Sequence, residues 1–179
     1  MRHRVLVFLA LVGAVSCNDT ITGLEPPSNP ATETFAASLG VTIASMTKLA
    51  NGVYYADSVV GTGVADTTTT DSVFVNYRGR LKDGTQFDVG TNVRFVPASL
   101  VAGVRLGLIG MKQGGKRKLV IPSALGYGGG AIKKPDGSIS IPRQSTLVFD
   151  IDLLKVHNPV DTTKALVASA TGLQAAARH

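Results

Sequence analysis

Side chains able to act as a nucleophile, a proton relay or a metal ligand are scarce in this sequence, which narrows the chemistry open to it. Cys17 is the only cysteine, and downstream of it histidine occurs only at His157 and His179. No His-x-x-x-His spacing suits a metal ion, so no metal site is expected. Gly128-Gly129-Gly130 does not read as a phosphate-binding loop, because no Gly-Lys-Ser/Thr follows and no helix opens there. Hydrolase and nucleotide chemistry therefore have little support, and no cofactor is expected. What remains is a set of aromatic and aliphatic residues at particular positions. Such a set can enclose an apolar group but offers no conventional acid, base or nucleophile.

The chain opens with Met1-Arg2-His3-Arg4, runs apolar from Val5 to Val12, and reaches Ala14-Val15-Ser16-Cys17. A basic start, a short apolar core and a small-residue exit describe a secretory signal over residues 1–16. The apolar run is too short to span a bilayer, which takes about 20 residues. Ala14-Val15-Ser16-Cys17 resembles the lipobox of bacterial lipoproteins, with Cys17 as the lipidated residue, although Leu is more usual at the first position. Acyl chains contribute about 0.8 kcal/mol per buried methylene, so the expectation is a chain exported and anchored to a bacterial membrane, facing the periplasm or the exterior. With no second cysteine the monomer holds no internal disulfide, and its fold must rest on a packed core. Removing residues 1–16 takes away Arg2 and Arg4 and no acid, lowering the formal charge of +6 by two. That mild balance, with no Lys/Arg run interleaved with aromatics, does not point to nucleic acid.

The elements that must position any site lie in the middle of the chain. Residues 17–50 read as a tether and N-terminal extension. Over residues 18–34, Thr, Asn, Ser and the dense prolines of Glu25-Pro26-Pro27-Ser28-Asn29-Pro30 predict a flexible or partly extended stretch. Residues 35–49 are more apolar and fit either a short helix or a strand packed on the domain. From residue 51 strand signals follow: Gly52 to Tyr55, Val59 to Gly61, and Ser72 to Tyr77 with Val73, Val75 and Tyr77 on one face. Thr67 to Thr70 reads as a Thr-rich turn. Asp83-Gly84 predicts a tight reversal. Lys116 to Ile121 reads as a strand with Leu119 and Ile121 facing one way. The last strand sets Leu147, Phe149, Ile151 and Leu153 against Asp150 and Asp152 on the other face. Ser99 to Leu108 fits a short amphipathic helix with Ser99 near its cap, weakened by Gly103 and Gly107 and so dependent on packing. The domain, residues 51–157, is therefore expected to be α+β, a twisted antiparallel sheet wrapped on one short helix. Residues 158–179 read as a mobile or weakly helical tail.

Five motifs in order resemble the FKBP family. Val75-Asn76-Tyr77-Arg78-Gly79 and Asp83-Gly84-Thr85-Gln86-Phe87-Asp88 are followed by Gly110-Met111 through Lys116. Val120-Ile121-Pro122 with Gly126-Tyr127-Gly128, and Ile141-Pro142 with Thr146 to Leu154, complete the set. The resemblance covers about Gly52 to Val156 and implies a peptidyl-prolyl cis-trans isomerase acting on proline-containing segments of exported proteins. It implies catalytic roles for Tyr77, Asp88 and Tyr127, and a prolyl pocket formed with Phe87, Phe95, Leu100, Val101, Val104, Ile141 and Phe149. It pairs Asp88 with Tyr77, and it makes Tyr127 and the Val101 N–H donors to substrate carbonyls. Macrolides are a further ligand class of the family. Tryptophan, usual on the family's pocket floor at position 104, is absent, which predicts weaker prolyl and macrolide binding here. Arg143 follows Ile141-Pro142, where a second proline is familiar, and Ser140 replaces an aliphatic residue. The Tyr127–Ile141 stretch is longer than usual, with Lys133 to Gly137 at its tip. Its lysines, with Lys112, Lys116 and Arg117, read as a solvated basic rim. A non-catalytic binding module or chaperone is the alternative to an isomerase.

Overall fold

Eleven residues, Leu147–His157, form the strand on which the sheet is built. The structure, a computed structural model, describes residues 25–65 and 72–157. Cys17, the leader, the Thr67–Thr70 turn and the tail from residue 158 lie outside the described residues. In chain order the strands are β1 (Thr47–Lys48), β2 (Tyr54–Val59), β3 (Ser72–Leu81), β4 (Gln86–Phe95), β5 (Lys116–Ile121), β6 (Ile132–Lys133), β7 (Ile139–Ile141) and β8 (Leu147–His157), with helix α1 (Ala102–Leu108) before β5. The main sheet runs β1-β2-β5-β8-β3-β4, and β6 and β7 make a separate hairpin. Every pairing is antiparallel. No described helix is long and apolar enough to cross a membrane.

Period-2 alternation gives the sheet two faces. Val73, Val75, Leu119, Ile121, Phe149, Ile151 and Leu153 join the main core, together with Val104 and Leu108 of α1. A helix of seven residues is too short to hold itself in water, so its seat decides whether it exists. Gly103 and Gly107, which weaken its propensity, are what allow that seat. A Cβ at Gly103 would overlap Ile121 Cγ2, and one at Gly107 would lie 2.6 Å from a Leu119 methyl. The helix starts later than the sequence suggests. Val101 is its N-cap, while Ser99 belongs to a preceding 3-10 turn and its hydroxyl donates to the Val96 carbonyl at 2.8 Å.

Arg117 does not belong to a solvated rim. It is buried, with Nε and Nη2 donating to the Asp57 carboxylate at 2.6 and 2.8 Å and Nη1 to the Gly107 carbonyl at 2.8 Å. Its guanidinium lies 4.3 Å from the centre of the Tyr55 ring. A cation on the last carbonyls of a helix is favoured by the helix dipole, so the side chain clamps α1 to β2 and β5. Lys116 is paired too, with Asp152 at 3.1 Å.

Val120 and Val148 point to the opposite face, where they cluster with Tyr54 of β2 and Leu39 covers them. The covering segment is built from three short 3-10 turns, Pro30–Thr32, Ala37–Leu39 and Ile43–Ser45, ending in β1. The expected flexible stretch therefore differs over residues 25–34. Pro30 is buried, and Ser28 is hydrogen-bonded into the domain. The cause is long-range: apolar residues at 35–46 need the sheet's second face, and their docking draws the preceding prolines with them.

Gly103→Ala tests the helix seat. Alanine gains about 1 kcal/mol of helix propensity, but overpacking a close-packed contact costs about 1–3 kcal/mol. The expected net result is a lower urea midpoint than wild type; a raised midpoint would show that α1 can lift from Ile121 freely.

Candidate active site

A cavity of about 340 Å³ opens between α1 and the sheet. Its deep end is aliphatic, formed by the buried Val75, Val104, Leu108 and Ile151. Its walls are aromatic: the Tyr77 ring lies 5.5 Å from Phe95 and 6.5 Å from Phe149, centre to centre and tilted. Its polar groups come from Tyr77, Asp88, Ser99 and Tyr127, with Leu100 and Val101 beside them.

Local backbone devices set these side chains. Tyr77 on β3 faces Gly90 of β4, and a Cβ there would lie 2.5 Å from the Tyr77 ring. Between Val75 and Tyr77 the register shifts, and Asn92 takes φ 51° there while its N–H donates to Asn76 Oδ1 at 2.9 Å. This bulge turns β4 so that Asp88 reaches Tyr77: the phenol Oη donates to Asp88 Oδ2 at 2.9 Å. The other carboxylate oxygen accepts the Val89 N–H at 2.8 Å. Tyr127 follows the 3-10 turn Ser123–Leu125 and precedes Gly128 at φ 57°, a left-handed position suited to glycine. Among the described residues, no hydrogen bond uses the Val101 N–H.

The Tyr77 phenol is pushed up to about 12, first by burial, then by its hydrogen bond to Asp88 and by the charges of Asp88 and Tyr127. Burial also raises Tyr127, helped by the Asp88 charge. A tyrosine is protonated at neutral pH even without such a shift. The Tyr77 hydroxyl donates to Asp88, whereas that of Tyr127 has no hydrogen-bond partner among the described residues. Among the described residues, no group of three or more His, Cys, Asp or Glu is placed to hold a metal ion.

The site gathers Tyr77, Asp88, Phe95, Leu100, Val101, Val104, Tyr127 and Phe149 of the residues expected from the sequence. Phe87 and Ile141 do not line the cavity. Phe87 stands edge-on behind Phe149, 5.6 Å between ring centres, in space that Gly79 leaves open. Ile141, at the end of β7, is buried in the main core. Val75, Ser99, Leu108 and Ile151 line the cavity without having been expected. Val75 and Ile151 share a face with Tyr77 and Phe149, two residues away, and Leu108 is one helical turn from Val104, so periodicity carried that signal. Nothing local marks Ser99.

The family model described as FKBP-type peptidyl-prolyl cis-trans isomerase matches residues 63–154. The chain belongs to this family. It is 39% identical over 128 residues to FkpA of Escherichia coli K12, covering 69% of this chain and 43% of that protein. Human FKBP2 is 45% identical over 94 residues, or 49% of this chain and 62% of that one. The matched region thus spans under half of FkpA. The crystal structure of E. coli FkpA superposes with a TM-score of 0.55 at 39% identity, over 63% of this chain and 51% of that chain. A peptidyl-prolyl isomerase from Pseudomonas syringae gives 0.57 at 33% identity, over 68% and 87% respectively. The sheet-and-helix architecture agrees with both FKBP neighbours. Within this FKBP domain, Val104 and not an indole forms part of the floor beneath the rings.

The raised tyrosine makes a pH prediction. Tyr77 holds its proton in the folded state to about pH 12, whereas an unfolded tyrosine loses it near pH 10. Its contribution to stability is therefore complete below about pH 10 and is lost as pH rises toward about 12. Denaturant melts across that alkaline range should show a shallower loss in Tyr77→Phe than in wild type. Identical slopes would mean that the phenol is not held protonated by the fold.

Proposed function

We propose that the protein accelerates cis-trans isomerisation of Xaa-Pro bonds in exported polypeptides by non-covalent stabilisation of the twisted amide. The observation that carries this reading is an apolar, aromatic-walled cavity in which, among the described residues, the Tyr127 hydroxyl has no partner, whereas Tyr77 donates to Asp88 and Ser99 to the Val96 carbonyl. Rotation about a peptide bond breaks resonance, against a barrier of about 18–20 kcal/mol. A thousandfold acceleration needs only about 4 kcal/mol of preferential transition-state binding. The twisted amide is less charge-separated than the planar one, so an apolar site penalises it less.

In this reading the proline ring enters between Tyr77 and Phe149 and rests on Val104. The Tyr127 phenol donates to the carbonyl before proline, and the Val101 N–H takes a neighbouring carbonyl. Asp88 holds Tyr77 in its wall position. Valine at 104 offers less contact to the ring than an indole, and the cavity runs past it to Leu108 and Ile151. That observation favours weaker macrolide affinity, and it keeps a second reading, a binding module or chaperone for prolyl segments.

The deciding measurement is NMR exchange of short Xaa-Pro peptides with residues 18–179. Wild type should accelerate exchange. Tyr127→Phe combined with Asp88→Ala should lower the rate by about tenfold or more, at about 1 kcal/mol per lost hydrogen bond. Val104→Trp should raise both the rate and macrolide affinity. No acceleration with any residue before proline would leave the binding-module reading.

We also propose that the signal is removed before Cys17 and that a lipid on this cysteine anchors the chain to a bacterial membrane. Its support is the sequence alone. Wild-type protein expressed in a bacterium should partition with membranes and carry an acyl mass on its N-terminal peptide. Cys17→Ser should lose both, and an unmodified cysteine on wild type would refute the anchor.

A further inference from the structure

The turn that presents Tyr127 is fastened by a residue nearly one hundred positions away. The Ser28 N–H donates to Ser123 Oγ at 2.8 Å, and the Ser123 N–H donates back to Ser28 Oγ at 2.7 Å. Ser123 is fully buried, and its hydroxyl donates to Gln144 Oε1 at 2.9 Å. The Ser123 carbonyl accepts the N–H groups of both Gly126 and Gly128 at 2.9 Å, the residues on either side of Tyr127. From the other side, the Gln144 N–H donates to the Gly128 carbonyl at 2.8 Å, with Gln144 held at φ 51°. A run of glycines follows Tyr127, so beyond Leu125, which packs on the core, the turn has little side-chain packing to fix it. Ser28 is kept in reach by the buried Pro30 and by Leu39, seated on the sheet.

We propose that Ser28 is a positioning residue for the prolyl site. It acts through Ser123 and Gln144 to fix the peptides flanking Tyr127, so the docked extension sets the aim of the phenol. The inference rests on the reading of Tyr127 as a carbonyl donor. Without the Ser28 hydroxyl, the buried Ser123 N–H has no acceptor, and an unsatisfied buried donor drives local rearrangement. A hydrogen bond that must meet a rotating amide is sensitive to such displacement.

The test uses the full chain with Ser28→Ala and Ser28→Thr, each with and without Tyr127→Phe. Ser28→Ala should shift the amide resonances of Gly126 and Gly128 and lower kcat/KM for a prolyl peptide by about tenfold, while the thermal midpoint falls by only a few degrees and the fold is kept. Ser28→Thr, which keeps the hydroxyl, should restore both. In the Tyr127→Phe background, Ser28→Ala should cost nothing more, because the group it aims is gone. Effects that multiply, or glycine amides that do not move, would overturn the proposal. A wild-type chain that fails to accelerate exchange would refute the isomerase reading alone; the glycine amides would then decide the positioning by themselves.

Discussion

The closeness of a two-turn helix to a β-sheet governs most of this structure. Two glycines let α1 lie against Ile121 and Leu119 with no side chain between them, and Arg117 ties its C-terminal carbonyls to Asp57 on β2. The helix has no other reason to exist at this length. Its placement fixes the height of Val104 and Leu108 above the sheet, and hence the depth of the cavity. The same placement brings Val101, at the N-terminal end, to the mouth. A helix that costs stability by propensity thus becomes a rigid wall through contact.

The polar side of the site depends on a second accommodation, in β3 and β4. Gly90 and Gly79 leave room for the rings of Tyr77, Phe87 and Phe149, and the bulge near Asn92 shifts the register while β4 stays paired with β3 on both sides of it. Asp88 is exposed, yet it serves the site because it reaches one half-buried phenol. Removing space at either glycine would act on chemistry through ring position, without touching a polar atom.

Much of the fold was legible because alternation survives wherever a strand is buried on one face. The Lys116–Ile121 strand, the inward set Leu147, Phe149, Ile151 and Leu153, and the turn at Gly84, which takes φ 93°, were readable residue by residue. β4 was not, since its bulge interrupts the period and most of its residues are exposed. Ser99 looked like a cap because its type favours that role, but its hydroxyl turned back to its own 3-10 turn. Arg117 was misplaced because a guanidinium declares its chemical type in the sequence, while its direction is set by a partner on another strand. The motif order found the cavity's rings and Val104, whereas the rest of its aliphatic floor, Val75, Leu108 and Ile151, was marked by periodicity alone. The proline-rich segment was the largest departure, because both its anchors, Ser123 and the second face of the sheet, lie far along the chain.

That docking also fixes a length. From Cys17 to Ser28 an extended chain reaches at most about 40 Å, whereas a chain free until residue 51 would reach about 120 Å. If a lipid is attached at Cys17, the leash is therefore cut to about a third by two serines and a leucine. The prolyl site would then sample a thin layer next to the bilayer, and would meet polypeptides as they emerge or pass along that surface more often than those diffusing freely.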